Sequence, residues 1–119
     1  MYNFYGIGSD LIEIERISQT YEKFGIKFLK KIFSEQEVEL CKSRNFIESL
    51  AGKFAAKEAV FKALNAERED LNWNQIEILN RENGSPFVKL SSKFKEFQIE
   101  ITISHTKNLA QAFCIIFRN

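Results

Sequence analysis

Two carboxylates in unusual settings are the groups of this chain best placed to do chemistry. Residues 47–65 (IESLAGKFAAKEAVFKALN) carry helical spacing, and at about 100° per residue Ile47, Leu50, Ala51, Phe54, Glu58 and Phe61 share one apolar face. A carboxylate turned toward a core is costly unless a cation, a metal or hydrogen-bond donors compensate it. Lys62, one turn on, and Lys57, next door, are the nearby cations, so a buried ion pair with either accounts for Glu58. Asp10 ends a bared strand face. In the strand-like segment 4–12 (FYGIGSDLI), Tyr5, Ile7 and Leu11 lie on one side and Gly6, Gly8 and Asp10 on the other. Asp10 suits the N-cap of a helix starting at Leu11, with Glu13 three residues later. Alternatively, Asp10 and Glu58 converge, forming a hard oxygen site for Mg²⁺, an ion that takes one or two protein carboxylates and completes its shell with water and phosphate oxygens.

Ser104, His105, Thr106 and Lys107 follow one another where an apolar strand ends, offering two hydroxyls, an imidazole and an ammonium suited to an anion such as phosphate. His105 is the only histidine, and in a turn it reads equally as a surface residue. The chain has no GxSxG elbow, no Walker loop and no complete GxGxxG, so nucleophilic hydrolysis and dinucleotide binding have no motif behind them. Cys41 and Cys114 follow no metal or CxxC spacing and read as free thiols.

The elements that must position these groups divide the chain in two. Helical spacing covers 11–21 and 26–32, and Ser34 with Glu37 forms a capping box opening a helix over 35–42. The helix 47–65 follows. A polar connection, 66–74, holds the only Trp. Beyond it, 75–79, 86–90, 98–104 and 110–117 are strand-like, with a turn at 83–86 (NGSP). Helices first and strands later give an α+β domain: helices packed on a small antiparallel sheet that the N-terminal strand joins. Glycine in that strand marks a bulge or the close approach of a ligand or another backbone.

With 119 residues, 45% of them hydrophobic, and a net charge of +1, the chain is expected to form one soluble domain, 1–119. Lys and Arg are interspersed with acidic residues, which argues against nucleic acid as a partner. There is no signal-like leader and no apolar run near the roughly 18 residues that span a bilayer, so a cytoplasmic protein without a membrane partner is expected. So small a domain has little room to wrap a large ligand alone, which makes a site shared between subunits plausible.

Four segments, GIGSDLIEIERI (6–17), FLKKIFSEQEVELC (28–41), LAGKFAAKEAVFKAL (50–64) and ISHTKNLAQA (103–112), together resemble the holo-acyl-carrier-protein synthases, the small bacterial 4'-phosphopantetheinyl transferases. The resemblance covers nearly the whole chain, and ENGSPFVKL is similar to that family's strand-turn-strand region. It implies the family's fold, and Mg²⁺ held by Asp10 and Glu58. It implies coenzyme A as substrate, with Lys62 against its phosphates and Lys53, His105 and Thr106 at its nucleotide end, including the 3'-phosphate. It implies acyl carrier protein as partner, faced by Arg16, and a homotrimer with its sites at subunit interfaces. The implied reaction, part of fatty acid and lipid metabolism, moves the 4'-phosphopantetheine group of coenzyme A to a serine of the apo carrier and releases adenosine 3',5'-bisphosphate. Glu58 and Lys62 would be catalytic, and Glu58, a metal-bound water and Glu35 are the candidate proton acceptors.

Two departures stand out. Residues 65–70 (NAERED) replace the family's glycine-rich stretch after the long helix, and Glu13, Glu15 and Glu22 make the first helix acidic, leaving Lys23, Lys27, Lys30 and Lys31 to supply a basic docking surface. The rival readings are a binding module of the same fold that transfers nothing and a metal-dependent phosphohydrolase.

Overall fold

The computed structural model describes residues 3–42, 45–65 and 70–119. The sequence's glycine-spaced segment forms the long strand β1 (Asn3–Glu13), and four helices follow: α1 (Ile14–Phe24), α2 (Ile26–Ile32), α3 (Glu35–Cys41) and α4 (Phe46–Leu64). The second half supplies β2 (Glu77–Asn80), β3 (Pro86–Lys89), β4 (Phe97–His105) and β5 (Leu109–Arg118). All sheet pairing is antiparallel, so the fold is α+β as expected. The strands form two sheets rather than one: a three-stranded sheet in the order β1-β5-β4, and a β2-β3 hairpin. The split falls where the chain turns through the 3-10 segment Ser92–Phe94, whose Phe94 is buried. Residues 66–69, which hold most of the segment that departs from the family pattern, lie outside the described residues.

β1 runs two residues past the point where the sequence predicts a helix to begin. It pairs with β5 through Glu13↔Leu109, and Ile14 N–H then donates to Asn108 O at 2.9 Å. The cross-strand ladder outweighs the helical spacing of 11–13. The capping box at Ser34 and Glu37 forms as read, with Glu37 N–H donating to Ser34 Oγ at 3.2 Å and Ser34 N–H to Glu37 Oε1 at 3.0 Å. The hairpin turn closes at Gly84, which adopts φ 89°.

Helix α4 lies at the centre, packed against β1 and β5 on one side and against α1, α3 and β2 on others. Gly6 and Gly8 make this possible. A Cβ on either would collide with backbone carbonyl oxygens of α4, those of Ala63 and Ala59 respectively. Close approach of a second backbone is therefore the alternative the strand glycines realise. Among the described residues no helix is long and apolar enough to cross a membrane.

Candidate functional site

Beyond its first turn α4 is covered on nearly all sides, and the residues of 50–64 that are not buried are Phe54, Glu58 and Lys62, a strip spaced four residues apart. Phe54 and Glu58 are half-buried and Lys62 is exposed, while Ala55, Ala56, Ala59 and Val60 are fully buried. This corrects the sequence reading, which turned Glu58 toward the core. Phe54 closes one end of the strip, stacked on Trp73 with ring centroids 5.1 Å apart.

Glu58 and Asp10 line the same cavity, of about 440 Å³, together with Leu11, Arg16, Thr20 and Phe54. Asp10 caps nothing: it sits within β1, opposite Ala112, and the residue preceding α1 is Glu13, which makes no side-chain cap. Lys62 Nζ donates to Ser9 O at 2.8 Å and lies 3.4 Å from Asp10 Oδ1. Among the described residues its ion-pair partner within 4.0 Å is thus Asp10. Among the described residues no cluster of three or more His, Cys, Asp and Glu converges as a metal cage. Two carboxylates from separate elements on one open cavity are nonetheless the donor set that suits Mg²⁺, which leaves its remaining positions to water and phosphate oxygens. Glu35 borders a different groove, with Ile26, Phe33 and Lys42, and so stands apart from the two carboxylates within one chain.

Lys57 is not a partner of Glu58. Its ammonium lies 2.7 Å from Glu37 Oε1, with both side chains closed to solvent, and it donates to the carbonyls of Trp73, at 2.9 Å, and of Ile76. The other Glu37 oxygen accepts from Ile78 N–H at 2.8 Å. Burial pulls the Lys57 ammonium below the usual lysine range, and the Glu37 carboxylate pulls the other way. One turn earlier, Lys53 Nζ donates to Ile78 O at 2.6 Å and Asn80 Oδ1 at 3.1 Å, and burial lowers its pKa too. Lys53 therefore ties α4 to β2, and Lys57 ties it to α3 and to the segment leading into β2. Sequence reasoning missed this pair, although two lysines spaced four apart among alanines were its visible signal.

Lys53 also lines a second cavity, of about 470 Å³, with Ser49, Gly52, Asn80, Gly84 and His105. His105 Nε2 lies 3.2 Å from Glu48 O, and its imidazole rests on Gly52, where a Cβ would stand 2.7 Å from Nε2. Thr106 shapes the turn before β5, its Oγ1 accepting from Asn108 N–H at 3.3 Å and Leu109 N–H at 3.0 Å. The sequence-predicted residues thus separate into two groups, Asp10, Arg16 and Glu58 at one cavity, with Lys62 held beside Asp10, and Lys53 and His105 at the other. Cys41 and Cys114 are buried, and burial pushes their thiols up to about 11 and about 12, which leaves neither as a nucleophile.

A model of the 4'-phosphopantetheinyl transferase superfamily matches residues 6–114. The chain is 46% identical over 112 residues to the holo-[acyl-carrier-protein] synthase of Thermodesulfovibrio yellowstonii, covering 93% of this chain and 96% of that protein. It is 42% identical over 116 residues to the protein of that name from Protochlamydia amoebophila, covering 92% and 95%. Among solved structures, the Bacillus anthracis holo-(acyl-carrier-protein) synthase in complex with CoA (3',5'-ADP) superposes with TM-score 0.84 at 30% identity, over 100% of both chains. The Helicobacter pylori synthase in complex with coenzyme A superposes with TM-score 0.82 at 32% identity, over 92% of this chain and 98% of that one.

Proposed function

The chain belongs to the holo-[acyl-carrier-protein] synthase family of 4'-phosphopantetheinyl transferases, and on that premise we propose that it transfers the phosphopantetheine arm of coenzyme A to a serine of apo acyl carrier protein, with Mg²⁺, releasing adenosine 3',5'-bisphosphate. The observation that carries this reading is the shared cavity of Asp10 and Glu58, brought together from β1 and α4. These two residues would hold the ion, which when bound neutralises charge on the pyrophosphate of the coenzyme. Arg16 borders the same cavity, where it can meet an acidic carrier as the serine is presented.

In the transfer, the serine Oγ forms a bond to the phosphorus on the pantetheine side of the pyrophosphate. The bond from that phosphorus to the bridging oxygen breaks, and the oxygen departs with the adenosine bisphosphate. Glu58 is the carboxylate on hand to take the serine proton. Lys62 leaves Asp10 to neutralise charge on the departing phosphate, so most of the rate gain comes from positioning and electrostatics.

The site is completed by a second subunit in a homotrimer. Ile7, Leu11 and Phe113 stand on the outward face of the three-stranded sheet, 54%, 61% and 41% exposed, an apolar face suited to burial against another copy. The two cavities share no lining residue. A neighbouring copy can therefore bring its Lys53, His105 and Thr106 to the nucleotide end of a coenzyme whose phosphates lie at Lys62. The reading places the enzyme in the cytoplasm, with no nucleic-acid or membrane partner.

Mass spectrometry of apo acyl carrier protein incubated with the protein, Mg²⁺ and coenzyme A tests this. A gain of one phosphopantetheine per carrier is expected. An unmodified carrier overturns the proposal; release of adenine nucleotide with it marks a hydrolase, and no turnover at all marks a binding module.

A further inference from the structure

We propose that Asn80 is a positioning residue that sets the affinity of the Lys53 cavity for a phosphate monoester. The Lys53 side chain is almost wholly enclosed, at 6% exposure, and among the described residues none of the ion pairs within 4.0 Å involves it. An ammonium has three protons to donate, and Ile78 O and Asn80 Oδ1 take two of them. Both acceptors are uncharged. The Glu37 carboxylate acts on Lys53 only through space and is itself paired with Lys57, so a buried cation hydrogen-bonded to neutral oxygens keeps a demand for an anion, and the third proton is left to supply the contact.

Asn80 fixes which way that proton points. Its Oδ1 accepts from Lys53, and its Nδ2 donates to Gly84 O at 3.0 Å. The reverse orientation of the amide would set an NH₂ group against an ammonium, so chemistry allows one arrangement only. The side chain is therefore a strut between the cation on α4 and the positive-φ residue of the β2-β3 turn, and all three residues line the same cavity. His105 lines the cavity as well. A carboxamide can perform this task where a carboxylate would not: an aspartate would satisfy the ammonium outright and repel both the Gly84 carbonyl and an incoming phosphate.

The inference rests on the reading that the nucleotide end of coenzyme A enters this cavity. Titration calorimetry with coenzyme A and with 3'-dephospho-coenzyme A, on the wild-type protein and on Asn80→Leu and Asn80→Asp, tests it. Wild type binds coenzyme A more tightly than the dephospho form. Asn80→Leu loses about tenfold in affinity for coenzyme A and Asn80→Asp more, while both bind 3'-dephospho-coenzyme A as wild type does. Equal losses for the two ligands, or no loss for either, overturn the role of Asn80 while leaving the cavity assignment standing. A wild-type protein that does not distinguish the two ligands overturns the cavity assignment, and the role of Asn80 with it.

Discussion

Gly8 and Ala59 touch through their backbones: the space a side chain at position 8 would fill already holds the Ala59 carbonyl oxygen. Asp10 lies two residues along the same strand, and Glu58 precedes Ala59 on the helix. The separation of the two carboxylates is therefore set by a contact that tolerates no Cβ.

Gly8→Ala is expected to destabilise the protein by more than about 2 kcal/mol in urea unfolding, because the collision is with backbone rather than with a flexible side chain. It should also lower transfer per folded molecule by pushing β1, and Asp10 with it, away from α4. A variant with wild-type stability and turnover would refute the contact.

Asp10→Ala and Glu58→Ala are each expected to reduce transfer by more than about 100-fold at saturating Mg²⁺, and EDTA should do the same to the wild type. Circular dichroism and the melting temperature should stay close to wild type, since neither carboxylate supports the core. Transfer that survives both substitutions would remove the metal from this cavity.

Arg16→Glu should raise KM for the carrier protein by about tenfold and leave KM for coenzyme A unchanged, as expected of a charge that meets the acidic partner. Steady-state kinetics with each substrate varied in turn will show whether the two constants part. A parallel rise in both would place Arg16 in the coenzyme site.

Lys57→Met is expected to cost about 3–5 kcal/mol, because it leaves the Glu37 carboxylate buried and unpaired. Glu37→Gln added to it removes the stranded charge but keeps only one carbonyl oxygen for the Ser34 and Ile78 N–H donors that the two carboxylate oxygens serve, and should recover part of the loss. A double-mutant cycle by chemical denaturation measures the coupling.

Asn65 ends α4 at φ 53°, ψ −122°, a backbone region that favours glycine. Asn65→Gly should therefore stabilise the protein by about 1 kcal/mol. A lower melting temperature in the variant would show that the side chain contributes more than the backbone strain costs.

Much of this molecule can be read from its residues, and the exceptions have a common cause. The capping box at Ser34 and Glu37 is a local signal and appears as read. The α+β division follows from periodicity, and Asp10 and Glu58, marked by residue type, share one cavity. What local pattern could not yield is the orientation of a helix enclosed on nearly all sides. The face of α4 around Glu58 looked like the core face, yet it is the strip left open, while Lys53 and Lys57, which by type belong in water, point inward. Their neighbours, Glu37 and the carbonyls of β2, arrive from elsewhere in the chain. The start of α1 was misplaced for a similar reason, since the partner of residues 11–13 is β5, nearly a hundred residues away.

Lys57 and Glu58 are consecutive, so one peptide unit ties a sealed ion pair to a carboxylate on an open cavity. Turning α4 about its axis would drag an ammonium away from its counter-charge, so the helix is clamped against rotation before any ligand arrives. The cavity carboxylate is accordingly aimed in advance, and little of the binding energy of an incoming substrate need be diverted to swinging it into place.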